Sequence, residues 1–221
     1  MYPSGVRFQV ECLGLERMTP EGYDGVLDRI APAARKLAED GARAIALMGT
    51  SLTFYKGAAF NQRLKDIITE ATGLPSTTMS TAVVEGLRAA GGRRLAVATA
   101  YGQEVNGRLR GFLEESGFEV LSIEGLGFER IGQAGGVSRE DLRRFGAGVA
   151  KKASGADAML ISCGGFRTLE LIAPLERESM LPVVSSLPHA LWAGVRLLGH
   201  DGRAPGFGRV LDGQQSAANP E

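Results

Sequence analysis

Residues 158–168 read AMLISCGGFRT, an apolar run that ends at Cys163 and two glycines before helical spacing resumes. An unbroken apolar run of this length, bounded by glycine, reads as a buried strand, and open α/β sheets present reactive groups at the carboxyl ends of such strands. Cys163 is therefore the candidate for the chemistry. The stretch has a counterpart earlier in the chain. Residues 41–51, GARAIALMGTS, and 155–165, GADAMLISCGG, superimpose without a gap and set Gly49 opposite Cys163. Downstream, GLPSTTMSTAVVEGLRAAG from Gly73 resembles MLPVVSSLPHALWAGVRLLG from Met180, with a one-residue insertion. A duplicated strand, helix, strand, helix unit implies an α/β fold of two pseudo-symmetric lobes. Each lobe is expected to be a short, mainly parallel sheet flanked by helices, with the active site between them. The expected division is 1–92 plus 188–221 for lobe one and 93–187 for lobe two. One strand end then offers a thiol and the facing one only a hydrogen atom.

With 221 residues, 44% of them hydrophobic, the chain has apolar volume enough for a core. Basic and acidic residues balance at 25 each, so no net field favours nucleic acid or an anionic membrane surface. A small-molecule partner fits better. No run approaches the roughly 18 apolar residues of a membrane-spanning helix, and the start MYPSGVRFQVE lacks a signal-peptide pattern. A cytoplasmic location is expected. Cys12 and Cys163, the only cysteines, read as free thiols. His189 and His200 are the only imidazoles, and no His, Cys and carboxylate spacing makes a metal site. The oligomeric state is left open, a monomer included.

Taken in order, residues 6–13 alternate well enough to be a strand, with Cys12 inside it as a small buried hydrophobe. Thr19-Pro20 starts an amphipathic helix expected to run to about residue 40 and end at Gly41. A strand over 43–48 leads to Gly49-Thr50-Ser51, and a helix after it closes at Gly73. Thr50 and Ser51 read either as helix caps or as an anion cradle, and their place opposite the thiol strand favours the cradle. A short strand to Met79 is followed by a helix capped by Ser80-Thr81. Residues 94–100 form the next buried strand, placing Tyr101 at the same edge as Thr50 and Ser51. Position alone does not separate packing from function for Tyr101. Asn106 reads as a helix-surface residue or as a contact behind the site.

Residues 125–136, GLGFERIGQAGG, suit either a lid over an apolar pocket or a plain surface loop, and match no full dinucleotide fingerprint. Ser138 caps a helix to about 154, whose Arg143, Arg144, Lys151 and Lys152 form a solvated face. Helices are expected over 169–178 and 189–198, with a strand end at 183–186 between them. His189 reads as a helix-start residue rather than as a base for Cys163, since no motif couples the two. Residues 214–221 look frayed.

The ordered blocks TPEGYDGV, LMGTSLTFYKGAAFN, GLPSTTMSTAV, VATAYGQEVN, ISCGG and PVVSS make the chain resemble the arylmalonate decarboxylase family of the aspartate/glutamate racemase superfamily. Racemases and maleate isomerases of that superfamily carry a cysteine at each of two facing strand ends. The decarboxylases keep only the second, which is the Gly49 and Cys163 pattern. The resemblance implies cofactor-independent loss of carbon dioxide from a dicarboxylic acid, a malonate carrying an aryl or alkenyl group at carbon two. Cys163 would protonate one face of the resulting enediolate. Thr50, Ser51, Tyr101 and the backbone at Cys163 and Gly164 would hold the retained carboxylate, with Gly49 and Tyr2 among the substrate-binding residues. Family members begin with a further strand and a proline loop before the Tyr-Pro pair, so the expectation is either a start placed too late or an unfilled strand position in lobe one. Two alternatives stand beside this reading. A cysteine-dependent racemase or maleate cis-trans isomerase-like enzyme would need a second acid/base group where Gly49 stands. A catalytically impaired small-acid-binding protein would follow if the missing strand had spoiled the site.

Overall fold

The computed structural model describes residues 1–2 and 5–214. The tail expected to fray lies, from residue 215 on, outside them. Among the described residues six strands form two sheets. β1 (Ile45–Leu47) pairs with β2 (Ser76–Thr78), and a second sheet has the order β4 (Glu119–Gly125), β3 (Arg94–Thr99), β5 (Ala158–Ser162), β6 (Val183–Ser185). Every pairing is parallel. Residues 95–98 of β3 and 158–161 of β5 are fully buried, which is why both read as unbroken apolar runs rather than alternating ones.

Register fixes what emerges at the strand ends. Thr99 lies opposite Ser162, so Tyr101 and Cys163 leave adjacent strands side by side. In the other sheet Leu47 lies opposite Thr78, which brings Gly49-Thr50 beside Met79-Ser80. The chain after β1 forms α3 (Thr50–Phe54) and α4 (Gly57–Thr72), closed by the left-handed Gly73 at φ 69°. α5 (Met79–Ala89) follows β2, α9 (Ile172–Ser179) precedes β6, and α10 (Ser186–Arg196) follows it. α5 and α10 pack on each other, and each touches strands of both sheets, which welds the two repeat units along the site. α6 (Gln103–Glu115) and α8 (Arg139–Lys152) flank the larger sheet, and Ser138 caps α8 as its sequence predicts.

Four local expectations are corrected. Residues 6–13 are not a strand: Phe8 is 51% and Val10 82% exposed, and Cys12 is exposed rather than buried. Alternation is not enough without a neighbour to supply the ladder, and this segment is tied to the rest by side chains such as Glu11 to Lys36. The helix from Thr19 also breaks early. Thr19 does cap α1 (Pro20–Asp24) by accepting from the Gly22 N–H, but the chain turns at Gly25 and passes through a 3₁₀ turn (Leu27–Arg29) into α2 (Ile30–Glu39). Gly22 inside α1 and Gly25 at its end weaken a helix, and Tyr23 and Val26 are both buried by the turn. The cap of α5 is Thr78, which accepts from the Thr81 N–H at 3.0 Å, so Ser80 is released from capping. Finally, α9 starts at Ile172, later than its spacing suggests, and α10 at Ser186, three residues before His189.

His189 is fully buried beneath Trp192 and against Gly86. Its Nδ1 meets the Ser185 backbone at 3.0–3.1 Å, whereas Nε2 has no partner. Burial pushes its pKa down to about 4, with the Ser185 contact opposing. Between that value and the ordinary 6.5 the unfolded chain binds a proton that the folded one refuses, so stability is complete above pH 6.5 and is lost as pH falls towards 4. About 2 kcal/mol should disappear between pH 7 and pH 5. Urea unfolding midpoints across that range should fall steeply in the wild type and stay flatter in His189→Gln; equal slopes would place the titration elsewhere.

Candidate active site

The four strand ends meet around Cys163. The thiol is 5% exposed, its Sγ accepts from the Gly165 N–H at 3.4 Å, and the Phe166 N–H caps the Cys163 carbonyl at 3.3 Å. Burial raises its pKa above the ordinary thiol value, while the Gly165 and Phe166 N–H groups oppose the rise. The side chain is therefore an S–H at neutral pH, able to give a proton. Gly164 and Gly165 are required by close approach. A β-carbon on Gly164 would stand 3.2 Å from Met79, and one on Gly165 would stand 3.1 Å from Ala134 and 3.6 Å from the thiol.

Hydroxyl groups surround the thiol turn. Tyr101 is buried, and its hydroxyl lies 3.4 Å from Ser162 Oγ, on the residue preceding Cys163. Thr50 donates to the Met79 thioether at 2.9 Å, and Met79 in turn faces Gly164, so one methionine spans the two facing strand ends. Ser51 is buried on the first turn of α3. Gly49 has φ +143°, a conformation that L residues rarely adopt, and a β-carbon there would meet Leu52 at 3.3 Å.

Sequence reasoning missed Tyr23. Its ring is fully buried against Tyr55 at 4.9 Å, and its hydroxyl is buried without a hydrogen-bond partner. Burial raises its pKa, with Ser51 and Arg108 opposing the shift and Cys163 adding to it. Tyr101 is raised for the same first reason, and Cys163 contributes there too. Both phenols thus stay protonated donors beside the thiol. Tyr23 lies inside the block TPEGYDGV, but only the break after α1 turns it inward, and no periodicity announces that break. Asn106 belongs behind the site: its Oδ1 accepts from Thr99 at 2.6 Å and its Nδ2 donates to the Tyr101 carbonyl at 3.4 Å.

The glycine-rich loop is neither free nor merely superficial. Its Leu126, Gly127 and Phe128 N–H groups donate to the Thr99, Tyr101 and Ala100 carbonyls at 2.8–3.2 Å. Gly125 must lack a side chain, since a β-carbon would lie 2.0 Å from the Tyr101 carbonyl oxygen. The loop then forms the short α7 (Ile131–Gly135), which places Ala134 over Gly165, and Arg130 bridges to Arg17. Tyr2 stands apart from this ring of hydroxyls. Its hydroxyl donates to the Gly202 carbonyl at 2.6 Å, and it borders a cleft of about 530 Å³ that reaches Gly164, Gly165, Phe166 and Pro188. Among the described residues no cluster of His, Cys, Asp and Glu could hold a metal ion, and no helix is long and apolar enough to cross a membrane.

Short parallel sheets flanked by helices, with a buried thiol at the carboxyl end of β5, define an α/β enzyme fold. The family model described as arylmalonate decarboxylase matches residues 1–211, and the chain belongs to that family of carboxy-lyases. It is 46% identical over 213 residues to the arylmalonate decarboxylase of Bordetella bronchiseptica, covering 96% of this chain and 88% of that one. A crystal structure of a liganded double variant of arylmalonate decarboxylase superposes with a TM-score of 0.89 at 45% identity, over 91% of this chain and 86% of that one. That variant has cysteine for a glycine and serine for a cysteine, at positions separated by as many residues as Gly49 and Cys163. The Nocardia farcinica maleate cis-trans isomerase shares the fold, with a TM-score of 0.82 at 22% identity over 89% of this chain and 82% of that one.

Proposed function

We propose that this chain removes one carboxylate from 2-aryl malonates and that Cys163 protonates one face of what remains. The observation that carries the reading is the thiol buried at the end of β5, with Gly49 at the matching position of the other repeat and the buried hydroxyls of Thr50, Ser51 and Tyr101 at the strand ends. The leaving carboxylate departs as carbon dioxide, and its bonding electrons spread over the α-carbon and the retained carboxylate. Thr50, Ser51, Tyr101 and the Gly164 backbone, joined by Tyr23, are placed to donate to that enediolate. Fixed donors in a dry site stabilise charge as it develops, and an aryl group delocalises the same charge. Cys163 then gives its proton to the α-carbon and recovers one from solvent. All of this is done by the chain's own groups, without a cofactor. The small dicarboxylic acid is the only partner the site calls for, and two free thiols suit a reducing cytoplasm.

The racemase or isomerase alternative needs a second acid/base group facing Cys163. Gly49 has none, and Cys12 sits exposed on the segment 6–13. Purified protein given phenylmalonate should release carbon dioxide. Thr50→Val and Tyr101→Phe should each lower kcat by about 10²–10³, the usual cost of one oxyanion donor, with smaller changes in KM. Pure KM effects at both positions would point to a binding protein instead.

A further inference from the structure

We propose that the buried hydroxyl pair Thr53 and Ser80 is a positioning device for the oxyanion cradle, holding and polarising the Thr50–Ser51 peptide; this rests on the decarboxylase reading above. Thr53 is 0% and Ser80 1% exposed. Their hydroxyl oxygens are 2.7 Å apart, and each lies 3.0 Å from the carbonyl oxygen of Thr50. The Ser80 N–H donates to Thr53 Oγ1 at 3.2 Å, and the Gly49 carbonyl is a further acceptor for Thr53 at 3.1 Å. Neither hydroxyl is needed to start α5, because Thr78 caps it.

Proton counting gives the device its direction. The pair holds two hydroxyl protons. If Ser80 donates to Thr53, the Thr53 proton is left for the Thr50 carbonyl; in the reverse arrangement the Ser80 proton is. The Thr50 carbonyl thus accepts from a hydroxyl walled off from water, undivided when the donor is Ser80 and shared with the Gly49 carbonyl when it is Thr53. Such a bond draws electron density across the amide and makes the N–H of the same peptide unit, that of Ser51, a stronger donor. It also fixes the backbone from which the Thr50 and Ser51 hydroxyls project. The Thr50 hydroxyl itself rests on the Met79 thioether, a weak acceptor that it can leave cheaply for a carboxylate.

The test compares Thr53→Val, Ser80→Ala and the double variant, reading turnover of phenylmalonate together with the carbonyl ¹³C resonance of Thr50. In the double variant kcat should fall about three- to tenfold with KM within about twofold, as weakening one donor rather than removing it requires. The Thr50 resonance should move upfield, since its carbonyl has lost its hydrogen bond. Each single variant should show a smaller change of both kinds, and Thr53→Ser should behave as wild type. A double variant whose melting temperature falls while kcat holds would reduce the pair to a staple between α3 and α5 and overturn the proposal. So would a lower kcat with the Thr50 resonance unmoved. Should the double variant not fold, Thr53→Val and Ser80→Ala decide together, because at least one of them removes or redirects the proton that the Thr50 carbonyl receives, and a resonance unmoved in both would overturn the proposal. Wild-type protein that releases no carbon dioxide would sink the decarboxylase reading itself, whereas active wild type beside an unaffected double variant sinks only this inference.

Discussion

Cys163→Ala is expected to lower turnover by about 10²–10⁴, the range for a positioned general acid, and to make what product remains racemic. The substitution removes one atom from a buried turn and with it only the long 3.4 Å Gly165 N–H contact to Sγ, while the Phe166 N–H bond to the Cys163 carbonyl stays. Circular dichroism should therefore match the wild type. Cys12→Ala should be silent, because that thiol is exposed on the segment 6–13. The pH profile separates acid from nucleophile. A proton donor works only while protonated, and burial holds this thiol above its ordinary value, so kcat should persist into alkaline solution and fall only where the thiol ionises. Equal losses from Cys163→Ala and Cys12→Ala would remove the central claim.

Where the sequence was readable, burial or a cap made it so. The unbroken apolar runs of β3 and β5 have one stable solution, strands covered on both faces, and register then carries Tyr101 and Cys163 to the same edge. The duplication sets Gly49 opposite Cys163 in sequence register. Thr19, Ser138 and Gly73 punctuate their helices as their chemistry requires. What failed depended on partners distant in sequence. Residues 6–13 alternate, but a strand exists only where another strand offers hydrogen bonds, and none of the described residues does so there. Tyr23 turns inward because α1 stops at Gly25, a break that Gly22 and Gly25 permit but that burial of Tyr23 and Val26 fixes. The Thr53–Ser80 pair was hidden for the same reason: Ser80 looked like a cap, and only the β1–β2 register brings it to the Thr50 carbonyl.

Moving the thiol tests the geometry of the whole site. If Gly49 faces Cys163 across the bound intermediate, Gly49→Cys alone supplies a second acid/base group on the opposite face. The enzyme should then gain racemase activity towards 2-arylpropionates, one thiolate taking the α-proton while the other thiol returns one. Gly49→Cys combined with Cys163→Gly should invert the configuration of the decarboxylation product, because the donor changes sides while Thr50, Ser51 and Tyr101 still hold the retained carboxylate. The backbone sets the cost. Gly49 sits at φ +143°, and a β-carbon there meets Leu52 at 3.3 Å, so the new cysteine should destabilise the fold by about 1–3 kcal/mol. Its thiol should also protonate less efficiently than one delivered from the unstrained end of β5. A slower enzyme with the mirror-image product is thus the expected result, read by chiral chromatography alongside the rate. Decarboxylation that keeps the original enantiomer would mean that the two strand ends do not flank the substrate, and the one-sided mechanism would fail with it.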